Sequence, residues 1–169
     1  MLVSSISLIL FPALMAFAAA SDLLTMTISN RVSLALIVGF FALALMTGMS
    51  STTAGMHVGA GLLVLAAAFV CFARGWIGGG DAKLAAATAL WLGFDHLMLY
   101  LVWASLIGGV LTFAIIQFRL MPLPAVLSNQ EWAARLHRAD AGVPYGIALA
   151  MAALLAYPES AFMKAAAGM

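Results

Sequence analysis

Long apolar runs separated by short polar breaks dominate the pattern of this chain. Most of these runs approach the stretch of about 20 apolar residues that an α-helix needs to cross a bilayer. The pattern predicts six helices, at residues 2–20, 32–49, 56–73, 76–94, 97–118 and 144–162. We therefore expect an all-α fold, a polytopic membrane helix bundle with about six transmembrane helices.

The division between the fourth and fifth helices depends on one short break. Residues 84–116 are almost continuously apolar, and a single helix of that length would be about 50 Å long, too long for one crossing. Gly93, followed closely by Asp95 and His96, suits a turn better than the middle of a membrane. The sequence therefore predicts two crossings in this region.

Basic residues occur almost entirely in alternate loops. With the N-terminus outside, the loops at 21–31, 74–83 and 119–143 are cytoplasmic and hold all but one of the Lys and Arg residues. The first apolar run has no basic residue before it, so we expect a retained helix rather than a cleaved signal peptide. In the loop 119–143, the spacing of Ser128 and Glu131 matches a capping box and predicts a short amphipathic helix, with a solvated connector as the alternative.

Composition excludes several classes of protein. Hydrophobic residues make up 66% of the chain and charged residues 8%, against about 25% charged in a soluble domain. The net charge of +1 argues against a nucleic-acid partner, and membrane lipid is the expected surrounding. The lone Cys71 and the scattered His57, His96 and His137 predict no metal site, and the histidines are most simply surface or turn residues. We expect no cofactor.

Two acidic residues stand where carboxylates are costly. Asp22 follows an alanine run at the end of the first helix, and Asp81 follows three glycines at the start of the fourth. An odd number of crossings separates the N-terminus from each, so both are expected at the cytoplasmic face, where they can meet. Two adjacent carboxyl groups share one proton and can hydrolyse a peptide by acid–base catalysis with water. The alternative for Asp81 is an N-cap in a flexible glycine loop.

Three segments carry a resemblance to a known family. Residues 78–83, Gly-Gly-Gly-Asp-Ala-Lys, resemble the G-x-G-D-x-K signature of the type IV prepilin peptidases. Ser21-Asp22 with Asn30 and Arg31 resembles their first catalytic segment, and residues 143–148, Val-Pro-Tyr-Gly-Ile-Ala, resemble a third. The order matches the family, and the likeness is greatest to the short, stand-alone enzymes of Flp-type (tight-adherence) pilus systems.

The resemblance implies a function and a set of site residues. It implies a GxGD-type aspartic endopeptidase of the bacterial inner membrane, with its active site facing the cytoplasm, that removes the short basic leader of pilin or pseudopilin precursors. It also implies a single domain over 1–169, without the cysteine-quartet insert of longer members and hence without zinc or pilin methylation. The implied residues are catalytic Asp22 and Asp81 with motif residues Asn30, Gly78, Gly79, Gly80, Lys83, Pro144, Tyr145 and Gly146.

Two other classes of function remain open from the sequence. In a proton-coupled transporter or channel subunit, Asp22 and Asp81 would relay protons. Such proteins often have repeated halves, and this chain shows no repeat. In a structural membrane partner without catalysis, replacing either aspartate with asparagine would have almost no effect.

Overall fold

Helices form the regular structure throughout this computed structural model, which describes residues 2–124 and 126–167. They are α1 (Leu2–Thr25), α2 (Asn30–Met46), α3 (Ser51–Ala73), α4 (Gly79–Leu120), α5 (Glu131–His137), α6 (Tyr145–Ala156) and α7 (Ala161–Ala167), with a 3₁₀ turn at Tyr157–Glu159 between the last two. The predicted all-α class is confirmed for these residues. The number of crossings and the side on which the N-terminus lies stay predictions.

Three helical spans in the described residues are both long and apolar enough to cross a membrane: Ile6–Thr25, Ser51–Ala73 and Gly79–Leu120. Two shorter helical segments, Asn30–Met46 and Tyr145–Glu159, are also apolar. Large apolar side chains cover much of the outer surface, which is the arrangement that lipid chains favour and water does not. The helices are therefore compatible with the predicted membrane bundle.

The chain reverses direction inside α4, at Gly93. Its backbone there has φ 67° and ψ −177°, a conformation that is essentially restricted to glycine. Asp81 and Thr112 lie on opposite sides of this break and line one cavity, although a straight helix would hold them about 45 Å apart. Residues 79–92 and 94–120 are thus two arms of a helical hairpin, as the predicted break requires.

His57 supports this reversal from the neighbouring helix α3. Its ring is 6% exposed, and Nδ1 lies 2.8 Å from the carbonyl oxygen of Leu90. That carbonyl belongs to the last turn before Gly93, where helical N–H partners run out, so the imidazole serves as its partner. The prediction that all three histidines are surface or turn residues is wrong for His57. The helix break leaves the buried Leu90 carbonyl without a helical N–H donor, and the buried His57 ring takes that place.

We expect Gly93→Ala to destabilise the protein by about 1–3 kcal/mol, because alanine disfavours this backbone conformation. A Cβ at Gly93 would also lie 3.0 Å from ring atoms of His57. Thermal unfolding of the purified protein in detergent measures the effect. Gly55→Ala in α3 is the matched control, because its Cβ would meet nothing within 4 Å. Equal melting temperatures for the two variants would contradict the assigned strain.

An aromatic cluster joins the helices at one end of the bundle. Phe11 of α1 stacks on Tyr157 with 4.3 Å between ring centroids, and Trp91 of α4 packs 5.1 Å from Phe162 of α7. The Trp91 indole N–H also donates to the Leu36 carbonyl of α2 at 2.8 Å. This cluster fixes α1 against the first arm of α4, and the polar ends of these two helices lie about 15 Å farther along.

Two details of the predicted helices are wrong. The last predicted helix, 144–162, is divided, because Pro158 lacks an N–H and restricts the residue before it, so that a 3₁₀ turn separates α6 from α7. The short helix predicted in 119–143 is present as α5, but it begins at Glu131 after Gln130. The N-cap of α5 is therefore Gln130 and not Ser128, as the predicted capping box would require.

Candidate active site

Asp22 lies inside the last turn of α1, which continues to Thr25 rather than ending at residue 20. Its side chain is 5% exposed, and Oδ2 accepts a hydrogen bond of 2.7 Å from the Gly146 N–H. Gly146 belongs to the first turn of α6, where backbone N–H groups have no intrahelical acceptor. The carboxylate therefore occupies the anion-binding end of a helix and supplies the acceptor that this N–H needs.

Asp81 lies in the first turn of α4, which begins at Gly79. The N-cap residue is Gly78, so the interpretation of Asp81 as an N-cap is wrong. An acidic side chain in this turn interacts favourably with the helix dipole. Asp81 Oδ2 lies only 3.0 Å from where a Cβ on Gly78 would stand, so the side chain folds back over the glycine segment.

The glycine segment allows the loop between α1 and α2 to approach α4 closely. A Cβ on Gly80 would lie 3.2 Å from Cβ of Ile28 and 3.4 Å from its backbone nitrogen and oxygen. Hydrogen bonds from the end of α1 hold this loop in shape, among them the one that Ser21 Oγ donates to the Thr27 carbonyl at 2.9 Å. At Gly80, the close backbone approach that a missing side chain permits is thus made by the chain's own loop.

The two aspartates line one cavity of about 290 Å³. They are 59 residues apart in the sequence. The cavity is lined by Asp22, Met26, Thr27, Ile28, Gly78, Gly79, Gly80 and Asp81. The structure therefore brings together both predicted acids and all three predicted glycines.

A second and larger cavity, of about 660 Å³, adjoins Asp81 from the other side. Its remaining lining comes from the second arm of α4, from the first residue of α6 and from the segments that precede α4 and α6: Thr112, Tyr145, Gly75, Trp76, Ile77, Gly78, Gly142 and Val143. Asp81 thus belongs to both cavities. Asp22 lines the smaller cavity and is not among the described residues that line the larger one.

Lys83 and Asn30 meet at the edge of the site. Lys83 Nζ donates to Asn30 Oδ1 at 2.8 Å, and both side chains are exposed. Asn30 is the first residue of α2, so this bond ties the start of α2 to the beginning of α4 beside the contact of Gly80 with Ile28. The geometry favours an anchoring role for Lys83, which the sequence identified only as a motif residue.

The third motif, residues 143–148, reaches the site through Tyr145 and Gly146, which lie on the same turn of α6. Tyr145 lines the larger cavity, and its hydroxyl donates to the Ala104 carbonyl at 3.4 Å. A Cβ on Gly108 would overlap the Tyr145 ring, so glycine is required there for this packing. Pro144 is fully buried and directly precedes α6, as a helix-start proline should.

Some residues around the pair were not anticipated from sequence. Thr112 and Ile28 lie in apolar runs or loops, where no pattern marks them. Tyr100 is completely buried, and its hydroxyl has no hydrogen-bond partner among the described residues. Among the described residues, no cluster of three or more His, Cys, Asp and Glu side chains is able to hold a metal ion.

The fold and the site together define a largely apolar helical protein in which two carboxylic acids share one cavity. The model of the type IV leader peptidase family matches residues 9–113, more than half of the chain, and the protein belongs to that family. Family membership makes it a peptidase, and the family acts on prepilin-type leaders. No curated protein and no solved structure matches the chain. The matched residues include Asp22 and Asp81 and end before α5 and α6.

Proposed function

We propose that the protein is an aspartic endopeptidase that removes the short leader of pilin or pseudopilin precursors, with Asp22 and Asp81 as its catalytic pair. The observation that carries this proposal is the shared cavity of the two acids, at the ends of helices that are far apart in sequence. Family membership supplies the substrate class, and the paired carboxylates supply a chemistry for cleaving it.

The reaction requires one proton on the pair. Two carboxyl groups that approach each other within one cavity cannot both ionise cheaply, so in the proposed reaction one stays protonated. The ionised member accepts a proton from water as the water oxygen attacks the scissile carbonyl carbon, and the protonated member donates a hydrogen bond to the carbonyl oxygen. Collapse of the tetrahedral intermediate then breaks the C–N bond, and a proton from the pair passes to the departing amine. The hydrogen bond from Gly146 holds Asp22 in one orientation for this exchange.

The two cavities suggest where water and substrate lie. The smaller cavity, bounded by both acids, has room for water beside the pair. Of the two acids, only Asp81 lines the larger cavity. Apolar side chains and glycines form much of the rest of its lining, which suits a peptide segment next to the scissile bond. We therefore place the substrate in the larger cavity, with its carbonyl directed at the boundary that Asp81 forms.

The distribution of charge supports a cytoplasmic active site in the inner membrane. Arg135 donates to the Leu24 carbonyl near Asp22, and Lys83 lies one helical turn or less from Asp81. Basic residues thus collect at the end of the bundle that holds the acids, which is the end that the positive-inside rule assigns to the cytoplasm. The six-crossing topology and a Flp-type pilus substrate belong to the same proposal.

A cleavage assay with purified protein in vesicles tests the function. A synthetic precursor peptide, with a basic leader followed by an apolar segment, should be cut at one bond between the two parts, as measured by mass spectrometry. A pH-sensitive dye in the same vesicles detects proton flux. Flux that depends on Asp22, without peptide cleavage, would instead establish the proton-relay alternative, which family membership does not favour.

A further inference from the structure

A strap, which we define as residues 131–143, forms the second half of the connection between the α4 hairpin and the start of α6. It contains α5 and the loop that leads to Pro144. Basic side chains bind backbone carbonyl groups at several points along it and around it. Basic residues here are the ones that the sequence assigns to the cytoplasmic side, and the structure shows that two of them, Arg119 and Arg135, bind backbone carbonyls.

Arg119 holds the strap to the second arm of α4. Its Nε donates to the Leu136 carbonyl at 2.9 Å, and its Nη2 donates to the carbonyls of Ala141 and Gly142 at 2.9 and 2.8 Å. The guanidinium is half-buried in the last turn of α4. A planar group with several fixed donors can bind three carbonyls at once, whereas the single ammonium group of a lysine cannot reproduce that geometry.

Arg135 holds the same strap to α1. Its Nη1 donates to the Leu24 carbonyl at 3.0 Å, two residues beyond Asp22. His137 adds a contact of 2.8 Å between Nε2 and the Met121 carbonyl, just after α4. The strap is therefore attached on one side to the helix of Asp22 and on the other to the hairpin that carries Asp81.

The strap delivers backbone groups directly to the site. Gly142 and Val143 line the larger cavity beside Asp81, and the Gly142 carbonyl is one of those bound by Arg119. Four residues later, past the buried Pro144, the Gly146 N–H donates to Asp22. A shift of the strap at Gly142 is transmitted along this short segment to the hydrogen bond on Asp22.

We propose that Arg119 is a positioning residue of the peptidase. By fixing the strap, it sets both the rim of the larger cavity and the Gly146 donor on Asp22. This inference rests on the proposed function, since it concerns the geometry of the same catalytic pair. Arg119 does not itself line the cavity; it acts through the backbone that it binds, including the carbonyl of the lining residue Gly142.

The experiment compares Arg119→Lys and Arg119→Gln with Arg138→Gln as the matched control. Arg138 lies in the same strap, but its side chain is exposed and pairs with neighbouring Asp140. Both Arg119 variants should lower kcat for the precursor peptide by at least about 10-fold, since small misplacements of catalytic groups are costly. KM should change less than kcat, and Arg138→Gln should keep the kcat of the unmodified protein.

The pH dependence of kcat separates positioning from a simple loss of folded enzyme. Fewer active molecules lower kcat equally at every pH, whereas a displaced Gly146 donor shifts the midpoint of the pH–rate profile for Arg119→Lys. Unchanged kcat and an unchanged profile in that variant would overturn the proposal. If Arg119→Lys does not accumulate, Arg135→Gln loosens the other attachment, and an unchanged profile there overturns it equally. Retained cleavage in Asp22→Asn or Asp81→Asn would instead refute the proposed function.

Discussion

Replacing either Asp22 or Asp81 with asparagine should reduce the rate of precursor-peptide cleavage by about 10³-fold or more, which is the scale of the effect of losing an acid–base group. Asparagine has nearly the same shape, and its oxygen can still accept the hydrogen bond from Gly146. What the variant loses is a group that can exchange a proton with water or the leaving amine. We therefore expect full-length protein of normal stability with almost no activity, measured as product released per folded enzyme.

Two other aspartates provide the matched controls for this comparison. Asp95 follows the Gly93 break at the opposite end of the first arm, and Asp140 is exposed and paired with Arg138. Asp95→Asn and Asp140→Asn remove the same charge from the same protein, yet should leave the cleavage rate within about two-fold, since changes at exposed sites away from the reaction are usually small. Cleavage by either Asp22→Asn or Asp81→Asn at the rate of these controls would exclude the catalytic pair.

Gly146→Ala should lower kcat by about 10²-fold, the cost of a misplacement of roughly 1 Å. Its Cβ would lie 2.8 Å from Asp22 Oδ2 and 2.6 Å from Cδ1 of Ile28. The Ile28 methyl can rotate away, but the carboxylate is held to the nitrogen of the same residue and must move with its hydrogen bond. The variant adds one methyl group, so we expect activity to fall much more than folding.

Gly109→Ala in α4 is the control for Gly146, because a Cβ there would meet nothing within 4 Å and Gly109 lines neither of the two cavities. Both variants add one methyl group to a helical glycine and leave charge unchanged. Steady-state kinetics on equal amounts of folded protein should show a loss for Gly146→Ala alone. Comparable kcat values for the two would show that the Asp22 carboxylate tolerates displacement, against the tight geometry described above.

The helices and the pairing of the acids could be predicted from sequence for clear physical reasons. Bilayer thickness limits the length of an apolar helix, which required a break near Gly93, and the structure has its reversal at that residue. The same limit on helix length sets the number of predicted membrane crossings before Asp22 and before Asp81. That number is odd for both residues, so the sequence predicted them at the same face of the membrane, and in the structure they line one cavity.

The remaining geometry of the site depends on backbone groups, which leave little trace in sequence. Every residue except proline has an N–H, so the sequence did not identify the Gly146 N–H as the partner of Asp22; the family resemblance named Gly146 only as a motif residue. Arg119 contributed to the sequence argument only as a positive charge, because its carbonyl partners lie in a loop without a regular pattern. His57 was misassigned for the same reason, since its partner is the Leu90 carbonyl at a break in another helix.

The position of Asp81 on the boundary between two chambers has a consequence for inhibitor design. A small molecule confined to the larger chamber would contact one acid and leave the other free to retain its water. A compound that engages both acids has to extend past Asp81 into the narrower chamber beside Gly80 and Ile28. Selective blockers of this peptidase should therefore be elongated, with a small polar tip no larger than the few waters it displaces.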